Sequence, residues 1–266
     1  MNKGSGSVTV VIPARYGSSR FPGKPLVELN GKPMIQHVYE RAVACRSVSS
    51  VLVATDDERI KQAVEAFGGR VVLVAGDYRT GTDRVAAVAR MFAGEYFLDL
   101  QGDEIPLNPE LLTDLIEPFL ESGVGLGTLK RVMDPIEDLQ NPAVVKVVTD
   151  ALGDALYFSR APIPFVRDDS EQQAIGGLHY IHLGLYIYTK ETLLRFAALP
   201  TSRLEDAEKL EQLRALDHRI PIRVWETKYA SLRVDRPEDV PDVAERLQQY
   251  EVVRRELQNS GMFFKR

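Results

Sequence analysis

The chain has 266 residues, 44% hydrophobic and 27% charged, with a net charge of −5. That length supplies one large domain or two modest ones with a full core. The acidic balance excludes a general nucleic-acid binder, so an anionic ligand has to be held by local cations.

The single cysteine, Cys45, excludes an intramolecular disulfide and a cysteine-based zinc site, and it suits a reducing cytoplasm. No apolar run reaches the roughly 18–20 residues of a membrane span, and the N-terminus lacks the apolar core of a signal peptide. MNKGSGS reads as a disordered lead-in. Val8–Ile12 is a β-branched, buried-looking strand that breaks at Pro13. A segment with Gly17, Ser18, Ser19 and Gly23 follows, carrying the cations Arg15, Arg20 and Lys24. Glycines let backbone N–H groups approach an anion, and fixed cations neutralise its charge, so this loop is a phosphate-site candidate. It contains neither a Walker A sequence nor G-x-G-x-x-G, and a solvated basic loop is the other reading.

After the turn Asn30-Gly31, a helical pattern runs over Pro33–Cys45. Strand Ser50–Ala54, helix Glu58–Phe67 with a stop at Gly68-Gly69, strand Val71–Ala75, helix Asp83–Met91 and strand Tyr96–Leu100 come next. This alternation predicts an α/β fold: a twisted, mostly parallel sheet of Rossmann-like type with helices on both faces. In such sheets ligands sit beyond the carboxyl ends of the strands. There the basic loop, Thr55-Asp56-Asp57, Arg79–Arg84 and Gln101–Glu104 converge. From about residue 125 the pattern changes to a smaller mixed-strand subregion. Its strands are Val144–Val148 and Ala155–Ser159 about a turn at Gly153-Asp154, then His182–Tyr188, with a polar surface segment over Val166–Gly177. Helices are expected over Lys190–Ala198 and Leu204–Leu216. A strand near Leu232–Val234 and a last helix starting near Pro237 complete the chain, and NSGMFFKR reads as a tail.

Asp103, in LQGDE at a strand end, is the leading acidic candidate, and Asp235 ends a later strand in the same way. Two carboxylates from distant strand ends suit a hard cation such as Mg²⁺, with phosphates and waters completing the octahedron. Helix N-capping competes as a reading, above all for Asp235, two residues before Pro237. Adjacent Asp103 and Glu104 point to different sides, so one of them is structural. Thr80, Gly81 and Thr82 can face a nucleotide, whereas Asp83 and Arg84 read as a cap with a local ion pair. His179 and His182 lie on opposite faces of a strand and read as structural. Glu208, Glu211 and Gln212 read as surface positions of a helix.

IPARYGSSRFPGKPL resembles the opening of the 3-deoxy-manno-octulosonate (Kdo) cytidylyltransferases. VATDDERI, TGTDRV, LQGDE, NPAVVKVV, ALYFSRAPIPF, HLGLYIY, LEDAEKLEQLRAL and VDRPEDV follow in that family's order, covering about residues 8–245. The resemblance implies a single nucleotidyltransferase domain over 8–245, with a sugar-acid and dimerisation subregion at about 125–200 and flexible ends at 1–7 and 258–266. It implies CTP-dependent formation of CMP-Kdo and pyrophosphate for lipopolysaccharide synthesis, in a cytoplasmic homodimer. The implied nucleotide contacts are Ala14, Arg15, Arg20, Lys24, Thr80 and Gln101. Asp103 and Asp235 would be the Mg²⁺ ligands, and Lys24, Arg15, Asp103 and Asp235 the catalytic set. Arg160, Tyr180, His182, Glu211 and Gln212 would line the sugar-acid pocket. The chain departs from the family pattern in three places. Thr80 replaces a serine, Ile105 separates GDE from Pro106, and Arg233-Val-Asp-Arg-Pro stands where Gly-Val-Asp-Thr-Pro is usual. The alternatives are the same transfer to another acidic acceptor, such as 8-amino-Kdo or a phosphonate, and a non-catalytic nucleotide-binding protein.

Overall fold

A computed structural model describes residues 6–17, 21–134, 139–167 and 178–259. The expected lead-in at 1–5, Arg20, most of the polar segment (168–177) and the tail from 260 lie outside the described residues.

Strand β1 (Val8–Ala14) is buried along its whole length and forms the spine. It pairs in parallel with β4 (Ser50–Thr55) on one side and β6 (Tyr96–Asp99) on the other, and β4 pairs in parallel with β5 (Val71–Leu73). Between them run α1 (Met34–Val43), α2 (Glu58–Ala66) and α3 (Gly81–Met91). Alternation along β1 explains the layering. Val8, Val10 and Ile12 pack with Ile35 and Val38 of α1 and Ile60 and Val64 of α2, while Val11 packs with Val85 and Val88 of α3. A strand apolar on both faces belongs between two helical layers.

Beyond β6 the direction reverses. β11 (Tyr180–Thr189) runs antiparallel to β6, to β8 (Leu126–Val132) and to β9 (Lys146–Thr149). β10 (Ala155–Ser159) pairs antiparallel with β9, and β12 (Arg223–Glu226) lies parallel to β8. The mixed strands therefore extend the central sheet. Helices α4 (Glu110–Ser122) and α5 (Lys190–Ala197) cover it, with Leu111 and Leu115 on one face and Leu193 and Phe196 on the other. Two small ribbons stand apart: β2 (Glu28–Leu29) with β3 (Lys32–Pro33), and β7 (Glu104–Pro106) with β13 (Ser231–Arg233). Helix α8 (Val240–Asn259) closes the chain.

The helix expected over Leu204–Leu216 is two short helices, α6 (Arg203–Glu208) and α7 (Gln212–Asp217). Lys209 breaks it by adopting φ 54°, a left-handed conformation. The break turns Glu208 onto β10, where it accepts from Ser159 Oγ (2.6 Å) and the Arg160 backbone N–H (2.9 Å). Glu208 is thus a structural anchor and not the surface residue expected of it. Among the described residues no helix is long and apolar enough to cross a membrane.

Candidate active site

The carboxyl ends of β1 and β6 approach so closely that a side chain at position 102 would place its Cβ 2.9 Å from the Pro13 carbonyl oxygen. Only glycine fits there, and Gly102 lets Gln101 and Asp103 border the end of β1. At Gly81 a Cβ would fall 2.8 Å from the Gln101 amide oxygen, so a larger residue there would have to displace the Gln101 side chain. Thr80 caps α3 by accepting the Asp83 N–H at 3.2 Å, so the helix N-terminus faces this gap. The result is a cleft of about 160 Å³ lined by Ala14, Arg15, Lys24, Thr80, Gln101 and Asp103, among others. Six residues expected at the nucleotide or its metal therefore share one wall.

Lys24 opens a 3₁₀ turn directly after Gly23, whose N–H closes the basic loop onto the Tyr16 carbonyl at 2.9 Å. Its ammonium donates to Asp103 Oδ2 and to the Val234 carbonyl (2.9 Å). That second bond brings the end of β13 to the cleft. The β7–β13 ribbon sets the register, with Arg233 opposite Glu104 and the Val234 N–H on the Asp103 carbonyl (3.3 Å), so Asp235 follows one residue past that bond. Burial alone would push the Asp103 carboxyl up, but the charges of Arg233 and Lys24 outweigh it and hold the group below its usual range. Glu104 turns the other way. It is buried, accepts from Ser231 Oγ at 2.7 Å, and is pushed up by burial against the pull of Arg233. Of the adjacent acids, Glu104 is the structural one.

The capping role weighed for Asp235 belongs to Asp239, whose Oδ2 accepts the N–H groups of both Asp235 and Arg236 at 2.8 Å. Asp235 Oδ1 is buried without a hydrogen bond, 3.3 Å from Arg233 Nε. A buried carboxylate oxygen left in this state has unused capacity as a ligand. Among the described residues no three His, Cys, Asp or Glu side chains form a metal cluster of their own. Asp103 and Asp235 thus fit a cation that draws its remaining ligands from phosphates and water, as Mg²⁺ does.

A cytidylyltransferase family model matches residues 9–222. The 3-deoxy-manno-octulosonate cytidylyltransferase of Geobacter sulfurreducens is 49% identical, covering 91% of this chain and 99% of the relative. The chain belongs to the 3-deoxy-manno-octulosonate cytidylyltransferase family. The enzyme of the same description from Geobacter metallireducens is 48% identical over 92% of this chain and 99% of its own. A solved structure of CMP:2-keto-3-deoxy-manno-octonic acid synthetase complexed with CTP superposes with a TM-score of 0.84 and 41% identity, over 91% of this chain and 99% of that one. An inositol-1-phosphate CTP transferase from T. maritima shares the fold at a TM-score of 0.64 and 13% identity, covering 93% of this chain and 97% of its own. The chain is a nucleotidyltransferase with the mixed α/β fold of this family.

Within this cytidylyltransferase the residues expected at the acceptor lie apart from the cleft wall. Arg160 ties loops together, donating to the carbonyls of Glu208 (2.7 Å) and Pro142 (2.8 Å). Tyr180, at the start of β11, lies under the Lys130 ammonium at 4.0 Å from the ring centroid. Gln212 is buried in the first turn of α7. Glu211 precedes it and accepts from Thr82 Oγ1, which connects it to the nucleotide side. The surface positions expected for Glu211 and Gln212 are therefore interior ones.

His182 is buried on β11, edge-on to Phe158 at 4.8 Å and 3.0 Å from Thr128 Oγ1. The Thr128 hydroxyl donates to the Leu185 carbonyl (2.7 Å), so His182 Nε2 carries the proton of the shared bond. Burial first, and the charge of Arg233 second, push the imidazole down to about 3. Below pH 6.5 the unfolded chain takes up a proton that the folded chain refuses, so stability falls as pH falls. From pH 6.5 to 5 this withdraws about 2 kcal/mol. In urea unfolding at pH 7 and pH 5, His182→Gln is expected to lose roughly 2 kcal/mol less than wild type. Equal losses would mean the imidazole titrates normally.

Sequence reasoning missed two connections. Arg84 is not in a local pair: its guanidinium donates to the Ala14 carbonyl (3.1 Å) and to Asp56 (2.8 Å), joining α3, β1 and the loop after β4. Asp99 is fully buried at the end of β6, an acid whose only sign in the sequence is its place within the apolar run YFLDL.

Proposed function

We propose that this enzyme transfers CMP from CTP to 3-deoxy-manno-octulosonate, releasing pyrophosphate and supplying activated sugar acid for lipopolysaccharide synthesis. The observation that carries this reading is the single cleft joining Ala14, Arg15, Lys24, Thr80, Gln101 and Asp103 in a chain of this family. The anomeric hydroxyl attacks the α-phosphorus in line and gives up its proton to solvent, the bond to the bridging oxygen breaks, and pyrophosphate leaves with that electron pair. Lys24 and Arg15 neutralise the triphosphate, joined by Arg20. Gln101, Thr80 and the Ala14 backbone frame the nucleoside. Arg160, Tyr180, His182, Glu211 and Gln212 shape the acceptor side, the first three by holding β10, β11 and their loops in place. Asp103 and Asp235 would hold Mg²⁺, which supplies charge neutralisation on the α-phosphate and leaving group. Positioning and electrostatics then carry catalysis without a covalent intermediate. Residues 8–245 act as one unit in a cytoplasmic homodimer, with the subregion at about 125–200 serving acceptor and partner.

The test is pyrophosphate release from CTP, Kdo and Mg²⁺. Release requiring all three is expected, whereas CTP binding without release would overturn the Kdo assignment. Arg233, whose charge reaches Asp103, Glu104 and Asp235, favours a second reading in which another acidic acceptor is used. An acceptor panel with 8-amino-Kdo and a phosphonate separates the two.

A further inference from the structure

Asp99 is wholly excluded from solvent, as is Thr82 at the start of α3. Asp99 Oδ1 accepts from Gln101 Nε2 at 2.7 Å, and its Oδ2 lies 2.8 Å from Thr82 Oγ1. The same hydroxyl oxygen is bonded to Glu211 Oε1. A hydroxyl owns one proton and can donate to only one of these carboxyl groups. The other must donate to it, which only a protonated carboxyl can do. The two acids therefore hold a proton between them.

The surroundings decide where that proton sits. Burial and then the charge of Glu211 oppose ionisation of Asp99, with Asp103 adding to them. The bonds from Thr82 and Gln101 work the other way without prevailing. Glu211 is also pushed up by burial. Bonds from Thr82 and Thr80 and the charge of Arg214 favour its ionised form, against Asp83. From β11, Tyr186 and Tyr188 face the pair as neutral phenols, held so by burial first and by the charge of Glu211 second. The bonds thus run from Asp99 Oδ2–H to Thr82, and from the Thr82 hydroxyl to Glu211.

We propose that Asp99 is a positioning residue, kept as the neutral acid, that fixes the Gln101 amide toward the nucleotide and, through Thr82, the Glu211 carboxylate toward the acceptor. The roles given to Gln101 and Glu211 rest on the function proposed above; the protonation of Asp99 does not. Raising the pH through the elevated value of Asp99 sets two carboxylates against one hydroxyl. The network then breaks, and the acceptor KM climbs. Asp99→Asn reproduces the neutral acid at every pH, its amide N–H donating to Thr82 and its oxygen accepting from Gln101.

The first arm is infrared spectroscopy of the full chain without substrates. A protonated-carboxyl carbonyl band is expected in wild type at neutral pH, lost on alkaline titration and missing from Asp99→Asn. The second arm is kinetic. The alkaline rise in acceptor KM should be flattened in Asp99→Asn. Thr82→Val should raise acceptor KM about tenfold while leaving CTP KM within about twofold. A structural role alone would move thermal stability without splitting the two KM values or altering the pH profile. Absence of the band, a wild-type pH profile in Asp99→Asn, or equal KM increases in Thr82→Val would each overturn the proposal. If Kdo proves not to be the acceptor, the infrared arm still decides the state of Asp99.

Discussion

Lys24→Met is expected to lower kcat for pyrophosphate release by about 10²–10³. Its ammonium is the knot of the site, bonded to Asp103 Oδ2 and to the Val234 carbonyl, with a side chain only 12% exposed. Removing it has two effects. The triphosphate loses a fixed counter-charge, which is worth most in a cleft screened from water. Asp103, pushed up by its own burial, is left with Arg233 as its principal counter-charge and becomes easier to protonate. Lys24→Arg keeps the charge, but a planar fork cannot occupy a point position between a carboxylate and a carbonyl, so it should recover only part of the rate. Steady-state kinetics of both variants check this. A kcat for Lys24→Met within about threefold of wild type would reduce Lys24 to a strut between β13 and the loop after β6.

The parallel half of the sheet was legible because its strands are buried on both faces and read as continuous apolar runs. Val8–Ile12 and Ser50–Ala54 are such runs, and topology alone then places their loops at one edge. The break at Lys209 was not legible. Lysine is an ordinary helix former, and its left-handed backbone accompanies contacts from Glu208 to Ser159 and Arg160, distant in sequence. Asp99 shares the sheet face of Phe97, so period-two alternation files it with the core. Its meaning appears only when Glu211 arrives from the far end of the chain onto the same hydroxyl. The ribbon strands β7 and β13 are three residues each, too short for periodicity, yet their pairing sets Val234 against Asp103 and Asp235 directly after it.

Asp235→Asn is expected to cut pyrophosphate release about a thousandfold and to raise the Mg²⁺ concentration needed for what remains. The substitution is isosteric and leaves the helix start intact, because Asp239 and not Asp235 accepts the N–H groups there. Stability should therefore change little, whereas Asp239→Ala should lower it by about 1 kcal/mol, as loss of a cap does. The competing role for Asp235 is partner to Arg233, whose side chain is half exposed at 3.3 Å. A pair whose arginine is half exposed contributes about 0–1 kcal/mol of stability and touches no reacting atom, so that role predicts a rate loss of no more than about fivefold. The two roles thus differ by more than two orders of magnitude in rate. Binding of Mn²⁺ in the presence of CTP, followed by electron paramagnetic resonance, separates them without turnover. Weakened Mn²⁺ binding in Asp235→Asn assigns the buried oxygen to the metal. Unchanged binding would return it to Arg233 and leave Asp103 to hold the cation with the phosphates.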